Sequence, residues 1–159
     1  MLAGDAKYRV TLKLHPSEAS FKMATITVGP YQYNDHIDNR LGSGSFGEVY
    51  EGFKSETKEK VAIKVANLSG KHEQIKAQIK TYFEREIEAF AGLPRHDHLV
   101  KLYHHEKQGE KLFLVMELCD GSINDYLEKT SVSPDEMMGF IVQIVTAVAH
   151  LHRHGYTHR

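Results

Sequence analysis

The chain has 159 residues, enough for one domain or a domain plus part of another, and its 41% apolar and 26% charged residues exclude disorder over most of its length. A formal net charge of −1 excludes a global basic field for nucleic acid or an anionic membrane, so partners must be read from local sites. A single cysteine, Cys119, excludes an internal disulfide; with no signal-peptide layout and no long apolar run, the sequence points to no membrane span and a cytoplasmic setting.

YRVTLKLH alternates, with Tyr8, Val10, Leu12 and Leu14 on one side, and FKMATITV follows after the polar HPSEAS. Residues 1–32 are therefore expected to be an N-terminal extension, with a hairpin over residues 8–28 or a simple tail. From His36, HIDNRLGSGSFGEVYEGF predicts strand, glycine turn, strand, and KVAIKV a further strand over residues 60–65. Residues 73–91 predict a helix, with Ile75, Ile79, Tyr82, Phe83, Ile87 and Phe90 recurring at three and four and Gly92 and Pro94 stopping it. LVKLYHH (residues 99–105) and KLFLVME (residues 111–117) predict two strands around the turn residues KQGE. INDYLEK then predicts a short helix, and PDEMMGFIVQIVTAVAHLHRH a long one opened by Ser133 as cap and Pro134 at its first position.

Gly42, Gly44 and Gly47 form a GxGxxG arrangement, which alone is weak. A dinucleotide fold needs the third glycine to open a helix, whereas Gly47 opens EVYEGF, whose alternation is that of a strand. The loop is then a hairpin tip whose missing side chains let backbone amides approach phosphate oxygens. Lys64 closes VAIK on the next strand, and GxGxxGxV followed by VAIK is the phosphate cover and phosphate-binding lysine of the protein kinase fold. At these residues the chain resembles a eukaryotic protein kinase of Ser/Thr type, and the VGPYQYNDHIDNRLGSGSFGEVYEG and LVMELCDG segments are similar to the ULK group and somewhat less to IKK-like kinases.

The helix supplies an independent physical argument. At 100° per residue from Ile79, the residues Ile75, Tyr82, Phe83 and Phe90 fall within roughly 60°, and Glu86 about 20° from the same centre. Glu84 and Glu88 point roughly 140° and 180° away, into solvent. A carboxylate inside an apolar stripe costs several kcal/mol unless paired, so Glu86 demands a facing cation, and Lys64 is the candidate. In the family that pair orients the lysine toward the phosphates and couples helix position to activity; the gap from Lys64 to Glu86 is slightly long for the family, which leaves the register open by one turn.

The resemblance implies an α+β fold: a kinase N-lobe of a five-stranded antiparallel sheet and one regulatory helix over residues 33–118, then a hinge and the first C-lobe helices over residues 119–159. It implies Met116 as gatekeeper, backbone contacts from Glu117 and Cys119 to the adenine edge, Val49 and Ala62 above the ring, Leu41 at its rim, Ile123 beneath it, and Phe90 and Leu102 in the packed spine behind. With Gly42, Gly44, Gly47, Lys64 and Glu86, these are the candidate site residues. The cofactors implied are ATP and Mg²⁺.

HRHGYTHR resembles the approach to the His-Arg-Asp catalytic loop, with His158 and Arg159 at its first two positions. The family's base and metal ligands would follow Arg159, so this chain alone is expected to be inactive and to hold no metal. The implied function is ATP-dependent phosphorylation of protein substrates by the whole protein; the competing reading is a non-catalytic kinase-like module that binds a partner protein. The apolar face of residues 137–151, carrying Phe140, Ile141, Ile144, Val145, Val148 and Leu151, is expected to self-associate. His150 and His154, four apart on one helical face, could share an ion, but lack a third ligand at fixed spacing.

Overall fold

A computed structural model describes residues 24–44 and 46–157. In chain order it contains β1 (Thr25–Val28), β2 (Tyr31–Asn34), a 3₁₀ turn (Ile37–Asn39), β3 (Arg40–Gly44), β4 (Gly47–Lys54), β5 (Lys60–Asn67), α1 (Glu73–Gly92), β6 (Leu102–Gln108), β7 (Lys111–Glu117), α2 (Ile123–Lys129) and α3 (Pro134–Arg153). Fold class is α+β as expected, an antiparallel sheet with one packed helix followed by two helices.

The sheet has seven strands rather than five, in the order β1-β2-β4-β5-β7-β6, with β3 also on β4. Both extra strands come from residues 25–34. Thr25–Val28 lies in the FKMATITV segment and pairs with the downstream Tyr31–Asn34; the strand expected over residues 8–14 lies outside the described residues. Because β2 continues onto β4 (Tyr31 opposite Lys54, Tyr33 opposite Gly52), the sheet crosses the boundary expected between residues 32 and 33. A four-residue strand paired some twenty residues downstream leaves almost no local periodicity to read. The other differences are smaller: Ile37–Asn39 is a 3₁₀ turn, and β6 begins at Leu102 instead of Leu99.

Alternation divides the core. On β5, Val61, Ile63 and Val65 join Tyr50, Phe113, Val115, Val28, Tyr31 and Tyr33 on one face, while Ala66 joins Leu68, Leu114, Ile79 and Phe83 on the other, against α1. Central strands buried on both faces read as near-continuous apolar runs, which is why VAIKV is so clear in the sequence. The sheet also curls until its two end strands meet. Gln108 Nε2 on β6 donates to the Thr27 carbonyl at 2.8 Å, and the Tyr31 and His104 ring centroids lie 6.3 Å apart.

Helix α1 runs as predicted, yet only Ile79 and Phe83 are buried; Ile75 and Tyr82 are exposed, so the helix rests on the sheet along its centre alone. Serine capping boxes open α2 (Ser122 with Asp125) and α3 (Ser133 with Glu136). Beyond α3, Tyr156 folds back and donates to the Glu88 carbonyl at 3.3 Å; a side chain at Gly92 would collide with that hydroxyl.

Candidate functional site

Strands β3 and β4 make the glycine hairpin: Gly42 faces Val49 and Gly44 faces Gly47, with Phe46 in the turn. The three glycines do different work. Gly47 has φ +149°, and a Cβ there would run into the Val65 carbonyl of β5, so it is fixed by the fold. At Gly42 and Gly44 a Cβ would meet nothing within 4 Å, which leaves the loop backbone open to an approaching ligand. A bulge between Arg40 and Gly42 makes Leu41 the extra residue and leaves it half exposed on the rim.

The register places Val49 opposite Lys64, Lys64 opposite Leu114 and Ala62 opposite Met116, so these side chains share one face of three adjacent strands. Lys64 Nζ reaches Glu86 Oε2 on α1 at 2.6 Å and lies 5.5 Å from the centroid of the Phe83 ring. The cation demanded by Glu86 is therefore present, without any shift of helical register. With side-chain exposures of 22% for Lys64 and 32% for Glu86, the pair is partly buried, not sealed in the core, which leaves the ammonium accessible to an anion.

Met116 packs against the inner cluster with Leu102, as does Ile87, whereas Phe90 is half exposed and lies outside that cluster. Glu117 is tied to Lys101 on both sides: its N–H donates to the Lys101 carbonyl at 2.9 Å, and Lys101 Nζ lies 3.2 Å from Glu117 Oε1. Cys119 is exposed just past the strand. Ile123 lines a cleft of about 720 Å³ together with Glu117, Cys119, Phe140, Ile144 and Val148; Lys64 is not among its lining residues.

Sequence reasoning missed the outer side of the loop. Arg40 donates to Glu48 at 2.9 Å and the Tyr50 hydroxyl donates to the same carboxylate at 2.8 Å. The Arg40 hydrogen bond, then that of Tyr50, holds Glu48 below the usual carboxylate range, while burial and then Glu48 push Tyr50 up to about 12. It also missed the tip contact: Phe46 stacks on Tyr82 of α1 with ring centroids 4.0 Å apart. Among the histidines, His150 and His154 rings lie 4.5 Å apart, but His150 Nε2 contacts the Pro94 carbonyl and His154 Nδ1 the His150 carbonyl. Among the described residues no group of three or more His, Cys, Asp or Glu is arranged to hold a metal ion. His158 and Arg159 lie outside the described residues.

A glycine hairpin beside a strand lysine that is paired to a helix glutamate is matched by comparison: residues 36–159 fit the family model for the protein kinase domain. The chain belongs to the protein kinase domain family. It is 34% identical over 144 residues to the carbon catabolite-derepressing protein kinase of Candida glabrata, covering 90% of this chain and 23% of that protein. It is 35% identical over 133 residues to the SNF1-like protein kinase ssp2 of Schizosaccharomyces pombe, covering 83% and 22%. Over 125 residues it is 37% identical to the maternal embryonic leucine zipper kinase of Xenopus tropicalis, covering 77% and 18%. The chain thus spans about a fifth of the length of these curated relatives. Their names support the protein kinase family and do not extend to the narrower ULK or IKK resemblance. Within the family frame β3 to β7 and α1 form the N-lobe, and residues 25–34 add two strands to it. No helix among the described residues is long and apolar enough to cross a membrane.

Proposed function

We propose that this chain is the nucleotide-holding part of a Ser/Thr-type protein kinase that transfers the γ-phosphate of ATP to protein hydroxyls. The observation that carries the reading is the partly buried Lys64 Nζ at 2.6 Å from Glu86, on the strand next to a glycine hairpin with open space at Gly42 and Gly44. Glu86 holds the ammonium in place without consuming all three of its donors, so Lys64 can still bind phosphate oxygens. Backbone amides at Gly42 and Gly44 cover those oxygens from the other side. Val49, Ala62 and Met116 offer the purine an apolar face, Leu41 its rim, and Glu117 and Cys119 a backbone C=O acceptor and N–H donor at its edge.

Mg²⁺, when bound, would supply neutralisation of the charge developing in transfer; no residue of this chain is assigned to hold it. Phosphoryl transfer depends on positioning and on that neutralisation, and by the family pattern the base and metal ligands follow Arg159. The 159 residues alone are accordingly expected to bind ATP weakly and to transfer no phosphate. A cytoplasmic setting and protein substrates complete the reading.

The test is transfer of labelled γ-phosphate from Mg-ATP to a mixed protein substrate by the full-length protein, beside the 159-residue chain. Transfer by the first and none by the second is expected. A full-length protein without transfer would favour a non-catalytic interaction module, for which the exposed apolar residues of α3 are the supporting observation.

A further inference from the structure

We infer that Tyr82 is a positioning residue for nucleotide binding: by stacking on Phe46 it ties the tip of the glycine hairpin to the helix that carries Glu86. The inference rests on the proposed ATP site and concerns a contact that the phosphate cover, lysine and glutamate do not themselves require. Phe46 lies at the turn between Gly44 and Gly47, and its ring centroid is 4.0 Å from that of Tyr82 at an interplanar angle of 34°. It also packs against the cluster of Ala66, Leu68, Ile79, Phe83 and Leu114 between the sheet and α1, so the tip rests on that cluster as well as on Tyr82.

Tyr82 is 45% exposed, which core packing does not explain, and it stands one helical turn before Glu86. Its neighbour Phe83 lies beneath the Lys64 ammonium. A movement of α1 that draws Glu86 away from Lys64 therefore also withdraws the surface on which Phe46 rests. Loop closure over phosphate and formation of the Lys64 to Glu86 pair become two readings of one helix position, and linkage requires nucleotide binding to favour both.

The experiment measures the affinity of the full-length protein for a fluorescent ATP analogue with Mg²⁺, in wild type, Phe46→Ala, Tyr82→Ala, Tyr82→Phe and the Phe46→Ala/Tyr82→Ala double variant. An aromatic pair of this kind should weaken binding about three- to tenfold when either ring is removed. Tyr82→Phe, which keeps the ring, should stay within about twofold of wild type, and the double variant should be no worse than the weaker single one. Unchanged affinity in Tyr82→Ala, an equal loss in Tyr82→Phe, or single losses that multiply in the double variant overturns the coupling while leaving the ATP site intact. No binding by wild type overturns the ATP site and the coupling together.

Discussion

Gly44 and Gly47 face each other across the hairpin, yet the structure makes opposite demands of them. A methyl group at Gly47 would meet the Val65 carbonyl in a backbone region that L side chains rarely adopt, whereas one at Gly44 would project into empty space. Gly47→Ala should therefore lower unfolding stability by about 1–3 kcal/mol, measured by chemical denaturation. Gly44→Ala should leave stability within about 0.5 kcal/mol of wild type and weaken ATP-analogue binding instead. A Gly44→Ala variant that loses stability and keeps affinity would show that the loop backbone does not approach the ligand. The GxGxxG spacing announces all three glycines alike; only the distance to β5 separates fold from function. Lys64 and Glu86 were legible for a different reason, since a carboxylate placed by 100° steps among Ile79 and Phe83 has no comfortable solution without a cation.

Strand β6 meets the β1–β2 hairpin through Glu106 and Gln108, and that closure has a pH signature. The hydrogen bond from Gln108, with smaller contributions from His104 and the Gly29 amide, holds the Glu106 carboxyl below its ordinary value. A carboxylate depressed in the folded state contributes stability that is fully present above its unfolded pKa, about 4.3, and lost as pH falls through the folded value. Amides of residues 25–34 should thus lose hydrogen-exchange protection in acid before those of β5, and Glu106→Gln should flatten that pH dependence. Equal protection of both segments at every pH would contradict the closure. Helix α3 makes a second prediction at this scale. Met138, Ile141, Val142, Ile144 and Val145 are 45–58% exposed on it, so the isolated 159-residue chain should self-associate in light scattering, and Ile141→Glu/Val145→Glu should shift it toward monomer. A monomeric parent chain would show that this face is covered by the chain itself.

Across the whole molecule, local periodicity foretold α1, β7, α2 and α3 to within a residue or two, because each carries its own pattern and cap. What escaped depends on partners far away in sequence: Tyr31 to Asn34 becomes a strand because β4 offers an edge, and Phe46 finds Tyr82 because β3 and β4 aim the hairpin at α1. In the proposed function Lys64 is held by Glu86 in order to bind phosphate and not merely to neutralise a carboxylate. An exchange of the two charges separates these roles. In the full-length protein, Lys64→Glu and Glu86→Lys should each destabilise the pair, while the double exchange Lys64→Glu/Glu86→Lys should regain part of the thermal stability. Phosphate transfer from Mg-ATP in that double variant should nevertheless remain on the order of a hundredfold or more below wild type, since the cation now stands on the helix. Transfer restored to within about threefold of wild type would contradict the account.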